Sequence, residues 1–336
     1  MYMKLITKIF NLGVGGVSKG NRCIPRYPVA VLLSLLASSG MAQQACPPQI
    51  KPTAQKFEAA QKNAHDHGFL WRISKDGHDS WLYGTIHIAK FEWMFPGPQV
   101  TQALQETDTM ALGLDVLDPS LQGNTALGVQ KMRRTRLPHA TVKRIRRLAE
   151  ALCVPYERIA DMPPELQVGM LETYMGRADG LEPEYAIDAF LAMLGHREHK
   201  AVISLETPEF QLSQLQMATS EETVKMVQED LDQLGKDNGH GYVEKLARLW
   251  GDSDYDAMAN FESWCNCMDT DIARMTMKRM LDDRNPAMAD RIDKLHVSGK
   301  RVFAAVGSLH MFGAYGLPLL MERRGYRVAR IALPVR

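Results

Sequence analysis

Two apolar runs in this chain end on the same step. Ser80-Trp81-Leu82-Tyr83 leads into Gly84-Thr85-Ile86-His87, and RVFAAV (301–306) leads into Gly307-Ser308-Leu309-His310, with the two histidines 223 residues apart. A glycine at a strand exit lets the backbone turn tightly and leaves room beside it. A histidine three residues on is then presented at the edge of a sheet. If both runs are strands, strands from the two ends of the chain share one sheet, and whatever lies between them is an insertion.

The rest of the sequence fits that frame. Asp76-Gly77, flanked by apolar segments, is a strong hairpin signal. A helix is expected near 99–106, and a buried strand over 109–116, closed by Asp118-Pro119. From about 120 to 290 the text is helical, broken by one apolar strand over 201–205. There Glu206-Thr207-Pro208 starts a helix with proline at an early position. The end alternates again: helix 286–296, turn at Gly299, strand 301–306, Gly-x-x-His, helix 315–324, a glycine cap at Gly325, and a last strand in YRVARIAL. The expected fold is α/β, a mixed central sheet built from N- and C-terminal strands with a large helical insertion. The domain expectation is a signal peptide over 1–42, a proline-rich lead-in and short helix over 43–67, and one domain over 68–336. In such sheets ligands sit at the carboxyl ends of the strands, where both histidines would lie.

Residues 1–42 hold five Lys or Arg and no acid, followed by an apolar run and Gly40-Met41-Ala42. This reads as a secretory signal peptide cleaved after Ala42, giving a periplasmic or secreted protein. The apolar run is too short for a stable membrane span. Subtracting those five from 40 basic residues leaves 35 against 39 acidic, a net charge of −4, which argues against a nucleic-acid binder. One segment, 131–150, runs the other way with eight Lys or Arg. Val142, Ile145 and Leu148 place these charges on the outer faces of an amphipathic helix, read as a solvated surface, with an anionic lipid or polysaccharide as the sharper alternative. Cys46, Cys153, Cys265 and Cys267 remain after cleavage and allow three disulfide connectivities. Cys265 and Cys267 are expected to pair outward, one of them with Cys46 or Cys153, rather than with each other.

Two histidines at matching strand exits make two legs of a divalent-metal site, to be completed by carboxylates. The competing reading is that each histidine only hydrogen-bonds a neighbouring loop. His65-Asp66-His67 is expected in a solvated loop, and His196-Arg197-Glu198-His199 at a charged helix end. After Ala42 the sequence holds neither a Gly-x-Ser-x-Gly elbow nor a phosphate-binding glycine loop, so serine-hydrolase and nucleotide readings lack support.

LYGTIH (82–87), SLETPEFQLSQL (204–215) and the run from Arg284 to Val328 together resemble the TraB/PrgY/GumN family, which is related to the Tiki metalloproteases. The resemblance covers nearly all of 69–331. It implies a shared fold with two Gly-x-x-His motifs, and for some relatives metal-dependent proteolysis. It places His87 and His310 at the motif histidines, Glu206 at an internal glutamate, and Arg284-Asn285 at an Arg-Asn pair. One position departs: in Ala111-Leu112-Gly113-Leu114-Asp115, Gly113 stands where the family usually has glutamate. Read as strand, Gly113 and Asp115 face the same side, about 6.6 Å apart along it.

Two functions follow. In the first, His87, His310 and Glu206 hold a divalent metal, Asp115 or Glu206 moves the proton, and Arg284 binds an oxyanion or a substrate carboxylate. A helix-surface salt bridge is the plainer role for Arg284. In the second, Gly113 marks a non-catalytic exported protein that captures a peptide or polysaccharide in the same cleft.

Overall fold

The computed structural model describes Cys46 and residues 52–235, 240–265 and 267–334. The expected signal peptide and the start of the lead-in lie outside the described residues, so the fold is given from residue 52 onward. Helix α1 (Ala54–Lys62) is capped by Thr53, whose side chain accepts the Lys56 amide. Strands β1 (Phe69–Lys75) and β2 (His78–Thr85) form the hairpin expected at Asp76-Gly77. Both turn residues have positive φ, 52° and 80°, as a two-residue type I′ loop requires. Helix α2 (Pro98–Gln105) and strand β3 (Thr109–Leu112) follow.

The insertion then supplies α3 (Pro119–Lys131), α4 (His139–Ala151), α5 (Pro164–Thr173) and α6 (Ile187–Arg197) before β4 (Ala201–Ser204). After β4 come α7 (Pro208–Leu215), α8 (Ser220–Gly235), α9 (His240–Gly251), α10 (Tyr255–Ala259) and α11 (Asp271–Met280). Helix α12 (Asn285–Val297), strand β5 (Val302–Gly307), helix α13 (Leu317–Arg323) and strand β6 (Arg327–Ile331) close the chain.

The six strands make one mixed sheet in the order β4-β3-β5-β2-β1-β6. β5 lies between β2 and β3 and is parallel to both, β3 is parallel to β4, and β1 is antiparallel to β2 and β6. The chain's last two strands therefore share one sheet with its first three, as the repeated strand exit implied: β5 enters between β2 and β3, and β6 lies at the edge beside β1. β5 is buried from Val302 to Val306, which explains its unbroken apolar sequence: a central parallel strand is covered on both faces. The main core joins residues of both ends, such as Leu70, Leu82, Met110, Phe303 and Met321.

Three expectations need correction. β3 stops at Leu112, not 116, because Ser204 Oγ takes the Asp115 amide (2.9 Å) and the Asp118 amide turns back onto the Asp115 carbonyl (3.1 Å). Gly113 and Asp115 thus lie past the strand, and the alternation of faces does not relate them. Cys265 and Cys267 pair with each other; the local turn sets their Cα atoms 5.0 Å apart, inside the usual disulfide range. Cys46 and Cys153 are disulfide-bonded as well, so neither is available to that pair. Of His65-Asp66-His67, expected in a solvated loop, His65 is exposed but Asp66 and His67 are not free of the fold. Buried Asp66 accepts the Gln99 and Val100 amides (3.0 and 2.9 Å) at the start of α2, satisfying donors that a helix N-terminus leaves open. His67 is hydrogen-bonded through Nδ1 to the Gly251 carbonyl (2.6 Å).

At the end of the sheet away from the strand exits, His296 is fully buried. Its Nε2 donates to the Lys75 carbonyl (3.0 Å), so in the neutral ring Nδ1 accepts from Ser80 Oγ (2.8 Å). The Ser80 hydroxyl in turn accepts the Val302 amide (2.9 Å). Burial, with the stacked His78 ring 3.8 Å away, lowers its pKa below the ordinary value. The unfolded chain therefore binds this proton more readily than the native one. The contribution is fully present above about pH 6.5 and is lost as pH falls from there through the lowered native value. Urea unfolding is expected to be easier at about pH 5.5 than at about pH 7.5. His296→Gln should shed part of that acid sensitivity, and a variant equally acid-sensitive would refute the assignment.

Candidate active site

The four parallel strands β4, β3, β5 and β2 end on the same edge of the sheet. At or just past those ends lie, in order, Glu206, Gly113, Gly307 with His310, and Gly84 with His87. Four neighbouring strand exits thus deliver the residues that the sequence singled out.

His87 follows β2 with its side chain 73% exposed, yet enough protein surrounds it for burial to oppose its charge. Its Nδ1 lies 2.7 Å from Asp188 Oδ2, in the first turn of α6, and the Thr85 hydroxyl donates to the other carboxylate oxygen at 2.5 Å. The Ile187 amide bonds the Ile86 carbonyl (3.1 Å), fixing the start of α6 against the motif. A carboxylate only accepts, so Nδ1 carries a proton and Nε2 is turned outward. The Asp188 charge raises the His87 pKa above its ordinary value, against burial and the nearby Arg284. Asp188 is itself held low: burial pushes it up, but the His87 ring and the Thr85 hydroxyl outweigh that.

His310 is buried and lies in a short 3-10 turn after β5. Its Nδ1 is 2.6 Å from Asn285 Oδ1. The Asn285 amide nitrogen donates to the Tyr315 carbonyl (2.8 Å) and the His310 carbonyl (3.3 Å), which fixes which amide atom faces the ring. Burial, reinforced by the charges of Arg284 and His87, drives the His310 pKa well below the ordinary value. It is neutral, with Nδ1 protonated and a lone pair on Nε2.

The two glycines have different tasks because the motifs are offset by one residue: Thr85 pairs with Gly307, and Gly84 with Val306. A Cβ on Gly84 would come within 3.1 Å of the Ser308 backbone, whose side chain donates to the Thr85 carbonyl (2.7 Å) and ties the two exits together. A Cβ on Gly307 would lie 3.3 Å from His87 Nε2 and 3.8 Å from His310 Cδ2. The bare backbone of Gly307 thus lies beside both rings.

Glu206 and Arg284 form a buried two-pronged ion pair, Nε–Oε1 2.9 Å and Nη2–Oε2 2.5 Å, with side chains 2% and 9% exposed. Gln211 donates to Oε2 (2.9 Å), and Arg284 Nη1 also donates to the Met280 carbonyl (3.0 Å). The plainer reading of Arg284 as a helix-surface salt bridge is thereby overturned. Asp115 is buried, with its carboxylate bonded to His196 Nε2 (2.7 Å) and the Leu117 amide (3.1 Å); none of its hydrogen bonds reaches the histidine pair. His196, expected only as part of a charged helix end, is thus Asp115's partner. At Gly113 an added Cβ would meet only Gln211 Nε2 at 3.8 Å and Val306 Cγ1 at 3.9 Å, so the backbone leaves room for a side chain. Among the described residues no three His, Cys, Asp or Glu side chains converge as a metal-holding group.

Sequence reasoning missed Asp188, Gln211 and Ser308. Asp188 had a faint signal, a lone acid in the apolar stretch Ile187-Asp188-Ala189-Phe190-Leu191. No curated protein and no solved structure matches this chain. The sequence profile described as the TraB/PrgY/gumN family matches residues 69–330. That span takes in both Gly-x-x-His exits, Glu206 and Arg284-Asn285, and the chain belongs to the TraB/PrgY/gumN family.

Proposed function

We propose that the cleft is a hydrolytic site for peptide-like substrates, assisted by a divalent ion that His87 and His310 hold through Nε2. The single observation behind this reading is the approach of two imidazoles to the same residue, Gly307, each with Nδ1 committed to an oxygen acceptor, Asp188 or Asn285. That is the arrangement by which metal-binding histidines are oriented. The donor set suits a weakly held, exchangeable ion, since the two carboxylates expected beside it are engaged: Glu206 by Arg284, and Asp115 by His196.

When bound, the ion would supply a water of lowered pKa. The chain's own residues do the rest. Asp188 and Asn285 fix both tautomers, and neutral His310 keeps its lone pair available. Arg284 places fixed positive charge near both rings, suited to a developing oxyanion or a substrate carboxylate. Glu206 can move a proton only by loosening its pair with Arg284. Export fits the basic, apolar N-terminus and the disulfides. Among the described residues no helix is long and apolar enough to cross a membrane.

The second reading, a non-catalytic protein capturing peptide or polysaccharide, is favoured by Gly113 and by the engagement of Glu206. Zinc and manganese titration, together with turnover of a broad peptide library, separates the two for wild type, His310→Ala and Gly113→Glu. Wild-type metal binding and turnover, both lost in His310→Ala, is the expected result. Activity confined to Gly113→Glu would make the natural chain a degenerate enzyme. Metal binding above background in no version would end the hydrolase reading.

A further inference from the structure

A second surface, with a separate chemistry, lies on α4 and the segment before it. Residues 131–149 carry eight Lys or Arg and no acid, whereas the remainder of the chain after Ala42 carries 27 basic against 39 acidic residues. The charge is not cancelled locally. Among the described residues, Arg144 is the one member of the eight in an ion pair with a carboxylate, Asp232 at 2.6 Å. Arg133 and Arg134 are spent on carbonyls, of Met217, Ala218 and Asp161.

The others face outward. On α4, His139, Lys143, Arg146 and Arg147 are all exposed. Their three- and four-residue spacing puts them in one row, with neighbours roughly 5–6 Å apart. The opposite face is used up in the core, where Ile145 and Ala149 are fully buried. Arg146 lies over the Tyr156 ring, 4.5 Å from its centre, which holds that guanidinium in place. At the N-terminal end of the row, Arg136, Leu137, Pro138, His139 and Val142 line a shallow concavity with an apolar floor and a cationic rim.

We propose that this surface binds a linear acidic polysaccharide. Lys143 and, one turn on, Arg146 and Arg147 match a polymer with a carboxylate on successive units. The half-buried Leu137 and Val142 offer an apolar floor to the faces of sugar rings. A flat bilayer cannot follow a concavity, and α4 has no outward apolar stripe to insert, as interfacial helices do.

The test is binding of the full chain to polygalacturonate, with neutral dextran as control and phosphatidylglycerol vesicles as a second arm. Binding to polygalacturonate is expected at about 0.1 M salt, where charges act over about 10 Å, and loss at about 1 M, where they act over about 3 Å. The triple variant Arg136→Ala, Lys143→Ala, Arg147→Ala should bind roughly tenfold or more weakly, each exposed contact contributing a factor of a few. Its circular dichroism and unfolding midpoint should be unchanged; if the triple variant misfolds, Lys143→Glu alone carries the test in the same direction. The proposal is overturned by no binding to polygalacturonate, by equal binding to dextran, or by an unaffected variant. Variant-sensitive binding to the vesicles with none to the polymer would assign the surface to a membrane instead. None of these readouts depends on the cleft, so this surface and the hydrolase reading stand or fall separately.

Discussion

Replacing Arg284 by leucine is expected to destabilise the fold by about 3–5 kcal/mol, the range for leaving one partner of a buried ion pair uncompensated. Glu206 is almost wholly enclosed, and Arg284 supplies two of the three hydrogen bonds its carboxylate receives, leaving only Gln211 after the change. The pair also joins the end of β4 to the start of α12, and Arg284 ties back to the Met280 carbonyl at the end of α11. The double variant Glu206→Leu, Arg284→Leu should be far less damaged, because no isolated charge is then buried. Urea unfolding of wild type, the single and the double variant measures this directly. A loss below about 1 kcal/mol in the single variant would mean that the carboxylate finds water or another partner, as exposed pairs do. Glu206 would then be free to serve the histidines, and its role in the site would have to be reconsidered.

How far the sequence discloses such arrangements depends on the range of the forces involved. Asp76-Gly77 specifies its hairpin through the φ values of two adjacent residues, and the β5–α13–β6 unit through runs and caps a few residues long; both are local signals. That the strands of both ends share one sheet was also legible, because the same strand exit occurs at both ends of the chain; the place of β5 between β2 and β3 was not. Partners held across the fold were not. Asp188 meets His87 over 101 residues, and Arg284 meets Glu206 over 78, with nothing in either local pattern to name the other. The family resemblance brought Glu206 and Arg284 forward separately, without indicating that they neutralise each other. β3 was read too long because its apolar run continues after the hydrogen-bonding has passed to Ser204 Oγ, a side chain 89 residues away. The Cys265–Cys267 pair was misjudged for the opposite reason. It is local, and a separation of two residues was read as too strained to close, whereas their Cα atoms lie 5.0 Å apart.

The two glycines of the repeated motif give the sharpest separation between holding the fold and serving the cleft. Gly307→Ala is expected to weaken zinc binding about 10–100-fold, the range seen when a metal histidine loses its support, while moving the unfolding free energy by less than about 1 kcal/mol. Gly307 has φ −48° and ψ 137°, a conformation open to alanine, so the backbone has no objection. The new methyl would meet His87 Nε2 at 3.3 Å and lie 3.8 Å from His310 Cδ2. His87 is exposed and can swing aside, which protects stability but moves Nε2 away from its place beside Gly307. Gly84→Ala should behave in reverse. Its Cβ would press at 3.1 Å on the Ser308 backbone, which cannot swing, and its carbonyl already accepts the Trp250 indole at 2.8 Å. Overpacking of that kind costs about 1–3 kcal/mol. Calorimetric zinc titration and urea unfolding of both variants give four numbers whose pattern is specific. If Gly307→Ala binds zinc like wild type, the ligand does not sit over Gly307, and the two histidines are not a joint site. If both variants lose stability equally, the repeated glycine serves only the close packing of β2 against β5.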